Sequence, residues 1–362
     1  MRSVSWAVSA LVCLVVLPAD LVSQDTFPAV DRIVAVGDVH GDFGQFVTVL
    51  RQAGVIDEKN HWAGGRTNLV QTGDVPDRGP DTRKILEFLM ELGPEAEKAG
   101  GRVHALIGNH EAMNIVGDLR YVTPGEYAAF RSPNAEALQQ RAFKALADSA
   151  RKDDPAYRDQ WLAEHPLGWV EQRLGYEGNG RYGTWIRGHN AVLRIGDYLF
   201  LHGGIGPKYA EQPLADINAA VRRSLEPGAD GAAAMDPEGP LWYRGLTGGD
   251  DAPPTTDVDH TLANFGVKHM VIGHTVTAGA VMTRYDGKVI MIDVGLAAVY
   301  GGPPACLVIE QGVPYALHRG KKLALPMGGD PLPYLRAAAA LDPPPSRLQK
   351  VIDQLGGAVR QP

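Results

Sequence analysis

Apolar residues recur along this chain at two spacings, and the switches between them predict the elements. Residues 32–36 form a short, β-branched apolar run that stops at Gly37, the pattern of a buried strand. Phe43, Phe46, Val47 and Leu50 then recur at helical spacing, so residues 37–42 are the turn of a strand–loop–helix unit. The unit repeats, with a strand at 68–71, a loop at 73–80 and a helix lined by Ile85, Leu86 and Leu89. A third copy runs through residues 103–107, a polar turn at 108–111 and another helical start. Strands alternating with helices predict a layered α/β fold with its polar loops at the carboxyl ends of strands.

From about 114 to 188 the pattern turns polar and helical, rich in Ala, Arg, Asp and Gln, with Trp161 and Trp169. This predicts an inserted helical cap. Strand-like runs return at 191–195, 198–201, 269–272, 281–284, 289–292 and 306–309. Their close spacing and the Asp286-Gly287 turn predict antiparallel hairpins in the second half. Residues 250–256 carry Pro253-Pro254 and read as a loop. Residues 326–362 are proline-rich with a weak helix near 348–355, the expectation for a partly ordered tail after a main domain at 24–325.

At 362 residues the chain can bury a sizeable core, and 44% apolar with 21% charged residues is ordinary for a globular protein. The net charge of −7 and the lack of a basic run exclude nucleic acid as the expected partner. An anionic substrate remains compatible, because a bound metal would dominate the local field. Arg2, the apolar run 6–17 and the polar segment ending at Leu21-Val22-Ser23 read as a signal peptide over residues 1–23, implying a periplasmic or secreted protein. The alternative is an uncleaved anchor, although a spanning helix needs about 20 apolar residues. Once cleavage removes Cys13, Cys306 is the sole thiol, leaving no internal disulfide.

Candidate chemistry changes the picture more. Alone, Gly37-Asp38-Val39-His40-Gly41 reads equally well as a glycine turn with Asp38 capping the next helix. Gly73-Asp74-Val75-Pro76-Asp77-Arg78-Gly79 adds two carboxylates and an arginine after a buried strand. Gly108-Asn109-His110-Glu111, His202-Gly203-Gly204 and Gly273-His274-Thr275 stand in equivalent places. Five strand ends with Asp, Asn or His beside glycine are hard to explain as five turns. Mixed oxygen and imidazole donors suit Mn, Fe or Zn better than Ca or Mg. Two such metals about 3.5–4 Å apart, bridged by a carboxylate, would activate water as hydroxide and offset phosphoryl charge during in-line attack. A histidine oriented by a carboxylate could protonate the leaving group, and Arg78 could clamp phosphate with its planar fork.

In order, these motifs resemble the signature of the calcineurin-like metallophosphoesterases, phosphoprotein phosphatase branch, over roughly residues 31–310. Trp242-Tyr243-Arg244-Gly245 is similar to that branch's second phosphate-binding arginine. Glu111-Ala112-Met113-Asn114 with Gly117-Asp118-Leu119-Arg120-Tyr121-Val122 resembles the Shewanella-like subgroup. The resemblance implies a layered β-sandwich flanked by helices, two divalent metals (Mn²⁺ expected, Fe or Zn as alternatives) and hydrolysis of phosphate monoesters. It implies Asp38, His40 and Asp74 as ligands of the first metal. Asp74, Asn109, His202 and His274 are implied for the second, with Asp74 bridging. His110 would be the proton donor, Asp77 its partner, and Arg78, Asn109 and Arg244 the substrate-binding residues.

Pro76 replaces the usual Val of the second motif, and the Ser-Ala-Pro-Asn-Tyr segment of the eukaryotic serine/threonine enzymes is missing near 295–302. The subgroup is associated with phosphotyrosine, which makes phosphotyrosine or another phosphoprotein group the expected substrate. Hydrolysis of nucleotides or dinucleoside polyphosphates is the alternative, because symmetrical enzymes of that kind share the motifs. A non-catalytic phosphate-binding protein would be expected to have lost a ligand or the proton donor, and each is present. The other histidines (His61, His104, His165, His189, His260, His269 and His318) lack flanking motifs and read as surface or core residues. Asp293 reads equally as a turn residue and as a residue near the site, whereas Tyr300 reads first as an ordinary packed tyrosine and only second as a pocket wall. Glu111 reads as a buttress for His110 or a helix cap.

Overall fold

The computed structural model describes residues 24–249 and 252–358; the leader expected at 1–23 lies outside them. The described strands are β1 (Thr26–Phe27), β2 (Arg32–Val36), β3 (Asn68–Gln71), β4 (Arg102–Ala105), β5 (Val192–Ile195), β6 (Tyr198–Leu201), β7 (His269–Ile272), β8 (Met282–Arg284), β9 (Val289–Met291), β10 (Ala305–Glu310), β11 (Val313–His318) and β12 (Lys321–Ala324). They form two six-stranded sheets, ordered β1-β5-β6-β7-β9-β8 and β12-β11-β10-β2-β3-β4. The first three units pair as expected: β2, β3 and β4 run parallel, joined through α1 (Phe43–Gln52) and α2 (Thr82–Lys98). β10 to β12 form an antiparallel meander on the other edge of β2.

The second half is a mixture rather than hairpins alone. β8 and β9 form the hairpin expected at Asp286-Gly287, whereas β6, β7 and β9 run parallel. The physical reason is the chain between β6 and β7. It holds α9 (Leu214–Ser224) and α10 (Thr255–Phe265), and such a crossover returns the strand in the same direction. Thr255, placed by sequence in a loop, already begins α10.

α3 (Asn109–Val116) follows β4, and the expected insert folds as α4 (Pro124–Phe130), α5 (Ala135–Leu146), α6 (Pro155–Glu164), α7 (Trp169–Tyr176) and α8 (Arg181–Arg187). Its inner side joins the main core through Phe130, Tyr176, Tyr182 and Ile186. Its outer part has its own small cluster of Phe143, Ala147 and Trp161. Residues beyond 325, expected as a partly ordered tail with one weak helix, carry two: α11 (Leu332–Ala339) and α12 (Gln349–Ala358). Leu332, Leu335, Leu348 and Ile352 are buried in the main core, so apolar spacing outweighs proline content there. Cys306 is a buried, free thiol on β10. No described helix is long and apolar enough to cross a membrane.

A candidate dinuclear metal centre

The two sheets meet at their strand ends, and glycine makes the approach possible. A Cβ on Gly37 would lie 2.5 Å from the Ile292 carbonyl oxygen, and one on Gly41 would lie 2.5 Å from that of Gly79. The loop after β2 is thereby pressed against the end of β9 and against the loop after β3. α1 is capped by Asp42, which accepts from the Gln45 N–H at 2.9 Å. Asp38 is therefore not spent as a cap. Five residues around the junction adopt left-handed backbone without being glycine: His40, Asp74, Asp77, Arg78 and His274. Such conformations cost on the order of 1 kcal/mol or more each and persist only where the surroundings hold them. The surroundings do so here. The amides of Val39 and His40 both donate to the Asp74 carbonyl at 3.0 Å. Glu111 straps the second and third loops, accepting from the amides of Asp74 (2.9 Å), Val75 (2.8 Å) and Gly108 (2.8 Å).

Asp74 stands at the centre with its two oxygens facing different groups. Oδ1 lies 3.2 Å from His202 Nε2, and Oδ2 lies 3.7 Å from Nε2 of both His40 and His110. Two buried triads with metal-ligand spacing therefore share it: His40–Asp74–His110 and Asp74–His202–His274. Asp38 lies beside the first, its Oδ2 3.9 Å from His40 Nε2, while its Oδ1 accepts from the His274 amide at 3.0 Å.

The donor atoms test whether a metal fits. His202 Nδ1 donates to the Thr72 carbonyl at 2.9 Å, so a neutral His202 ring, the form a metal ligand needs, presents a lone pair at Nε2. That Nε2 lies 2.8 Å from Asn109 Oδ1 and 3.1 Å from His274 Nδ1. Carboxylate, amide and imidazole lone pairs thus converge, and the far nitrogen of His274 is buried without a partner. On the other side His40 Nδ1 is held by the Pro76 carbonyl at 3.1 Å, turning Nε2 toward the carboxylates. Lone pairs packed this closely repel unless a cation lies among them, so the residues fit metal ions.

Electrostatics separates the histidines by role. Burial lowers His40 to about 4 and His274 to about 2, keeping both neutral, the form a metal ligand needs. Burial also works against the His110 imidazolium, but the charge of Asp74 and the hydrogen bond to Asp77 outweigh it and raise its pKa. His110 Nδ1 sits 2.5 Å from Asp77 Oδ2, leaving Nε2 directed at the shared carboxylate. Asp38 is raised well above the usual carboxylate range, first by burial and then by the charges of Asp293 and Asp74.

Around this centre, the Arg78 guanidinium lies 4.5 Å from the Tyr121 ring and 5.5 Å from that of Tyr300, with its buried Nε unpartnered. Arg244, exposed, donates to the His274 carbonyl at 2.8 Å and to Thr275 Oγ1 at 2.9 Å. All ten residues singled out from sequence are brought to one place. Four neighbours were missed or left open. Asp293, beyond β9, is buried against Asp38 while also holding the turn through the Gly295 amide at 2.9 Å. Tyr300 lies 5.7 Å ring-to-ring from His40, and Tyr121 5.0 Å from His110. Asn114 donates to Asp77 Oδ1 at 3.0 Å, and its place one helical turn after His110 was the legible signal. The histidines without motifs all lie elsewhere; His104 bonds Asn68 and His318 bonds Asp342.

Residues 31–278 match the family model for calcineurin-like phosphoesterases. An uncharacterized protein of Schizosaccharomyces pombe is 33% identical, the alignment covering 81% of this chain and 82% of that one. Shewanella-like protein phosphatase 2 of Arabidopsis thaliana is 32% identical over 78% of this chain and 76% of its own length. Among solved structures, the cold-active protein-tyrosine phosphatase of a psychrophile Shewanella species is 28% identical with a TM-score of 0.65, covering 83% of this chain and 82% of that one. With the two-sheet fold and the shared-carboxylate cluster, these likenesses show that the chain belongs to the calcineurin-like metallophosphoesterases, a family built on a dinuclear metal site, as a metal-dependent phosphatase with Shewanella-like homologues.

Proposed function

We propose that this enzyme hydrolyses phosphate monoesters on phosphotyrosine or other phosphoprotein groups, with Asp74 bridging two divalent metals. The observation that carries the reading is the division of Asp74, one oxygen toward each buried triad. Asp38, His40 and Asp74 would hold the first metal, and Asp74, Asn109, His202 and His274 the second. The mixed oxygen and nitrogen donors favour Mn²⁺, with Fe and Zn as the other ions of matching preference. When bound, the pair supplies an acidified water as nucleophile and positive charge against the phosphoryl oxygens.

The remaining steps belong to the chain's own side chains. Arg78, braced between two tyrosine rings, and Arg244, anchored on the loop after β7, grip the phosphoryl oxygens. His110 carries a proton at Nε2 for the departing oxygen while Asp77 holds its other nitrogen. The aromatic walls at Tyr121 and Tyr300 favour an aryl phosphate, in keeping with the name of the Shewanella relative. Residues 1–23 direct export to the periplasm or medium, which N-terminal sequencing of the protein from fractionated cells checks.

The test is hydrolysis of p-nitrophenyl phosphate with added Mn²⁺ by the wild type, Asp74→Asn and His110→Asn. Loss of the bridge is expected to abolish activity and weaken metal retention. Loss of the proton donor is expected to lower turnover by about 10²–10⁴ with metal content near normal. Unchanged rates in both variants would sink the mechanism. A phosphopeptide panel run beside dinucleoside tetraphosphate settles the substrate class, and turnover of the nucleotide alone would reject the phosphoprotein reading.

A further inference from the structure

The catalytic-type pair Asp77–His110 does not end at Asp77. Asn114 lies one turn along α3 from His110 and is 0% exposed. Its amide nitrogen donates to the His110 carbonyl at 3.0 Å and to Asp77 Oδ1 at 3.0 Å. Its amide oxygen accepts from Gln172 Nε2 at 2.6 Å. Gln172 belongs to α7 of the inserted cap, stands 58 positions further along the chain, and is also 0% exposed. Beside it, Arg173 donates to the carbonyls of Asn114 and Ile115, at the end of α3 where a cation complements the helix dipole. The cap therefore grips α3 at the turn that carries the acid.

Each bond in this line removes one freedom from the next group. A carboxylate turns easily about its last torsion, which is broad. Held only by His110, the buried Asp77 could rotate out of the imidazole plane. Asn114 occupies its second oxygen and prevents that. An amide can in turn flip, and Gln172 prevents the flip by donating to its oxygen. Resting on the reading of His110 as proton donor, we infer that Asn114 and Gln172 are positioning residues through which the helical cap aims His110 at the leaving group. In the step they serve, the oxygen of a hydroxide, formed when water gives up one proton to solvent, bonds to phosphorus as the ester P–O bond breaks, and hydrogen phosphate is left. The proton on Nε2 passes to the ester oxygen, which departs as a neutral phenol or alcohol.

Such a role has a signature that mere stabilisation lacks. p-Nitrophenolate is the better leaving group and needs less proton assistance than the phenol of tyrosine, whose pKa is about 10. The experiment measures kcat and KM of the full chain on free phosphotyrosine and p-nitrophenyl phosphate, together with bound metal. The variants are Asn114→Leu and Gln172→Met, which keep volume and remove the amide. On phosphotyrosine kcat is expected to fall on the order of tenfold, several-fold more than on p-nitrophenyl phosphate, with KM and metal content held. In a His110→Asn background neither substitution should lower kcat further. Equal losses on both substrates, lost metal, or additive losses beyond His110→Asn would overturn the inference and make both residues structural. Should Asn114→Leu fail to fold, Gln172→Met decides alone by the same criteria. If His110→Asn itself affects both substrates equally, the proton-donor reading fails, and this inference with it. If His110→Asn discriminates while the two variants do not, only this inference fails.

Discussion

Gly41 and Glu111 show how single residues hold the site without touching substrate. A Cβ at Gly41 would strike the Gly79 backbone at 2.5 Å, and its φ of 65° is already unfavourable for other residues. Gly41→Ala is therefore expected to separate the loops after β2 and β3, lowering both metal content and activity, as elemental analysis and p-nitrophenyl phosphate turnover would show. Glu111 satisfies three buried amides that no other group reaches in the described hydrogen-bond pattern. Glu111→Ala leaves all three orphaned at about 1–3 kcal/mol apiece, so a large fall in Tm is expected along with loss of activity. A variant with wild-type Tm would mean that solvent replaces the strap.

At the scale of elements, α4 brings a second buried acid behind the site. Glu126 is buried in the first turn of that helix, and burial, followed by the charge of Asp77, raises its pKa well above the ordinary 4.5. The folded chain therefore holds this proton more tightly than the unfolded chain. Its contribution to stability falls as pH rises from about 4.5 toward the folded value. Glu126→Gln is expected to be neutral near pH 4 and to raise Tm increasingly toward pH 8, measured by thermal unfolding across that range. A pH-independent difference would locate its effect in packing. α11 makes the other test, because Leu335 is fully buried beneath it. Leu335→Ala is expected to cost about 2–5 kcal/mol in denaturant unfolding, a value incompatible with a loosely attached tail.

At the scale of the molecule, both sheets and the C-terminal helices contribute to one continuous core, into which the chain beyond 325 inserts Leu332, Leu335, Leu348 and Ile352. A chain ending at residue 325 is expected to unfold at lower temperature or to aggregate, since that apolar surface would face water. The metals act at the same scale. The ligands proposed for them stand at the ends of strands of both sheets, so ions that bind only the folded form would stabilise the whole by mass action. Chelation is expected to lower Tm in a scan and Mn²⁺ to restore it; an unchanged Tm would place the ligands outside the stabilising framework.

Local order decided what was legible. The three strand–loop–helix units at 32–50, 68–89 and 103–111 write their periodicity and turn glycines within a few residues, so sequence alone determined them. It also determined the five polar strand ends, because Asp38, His40, Asp74, Asn109, His202 and His274 each stand beside glycine at the end of an apolar run. Tertiary structure decided what depends on distant segments meeting. The parallel course of β6, β7 and β9, the docking of α11 and α12 on the main core, and the reach of Gln172 to Asn114 depend on segments far apart in the chain. The division of Asp74 between two triads is of that kind too: Asp38 and the His274 amide that binds it lie 236 positions apart. A strand end can announce a polar group, but only the packing of one sheet against the other decides which of those groups stand together.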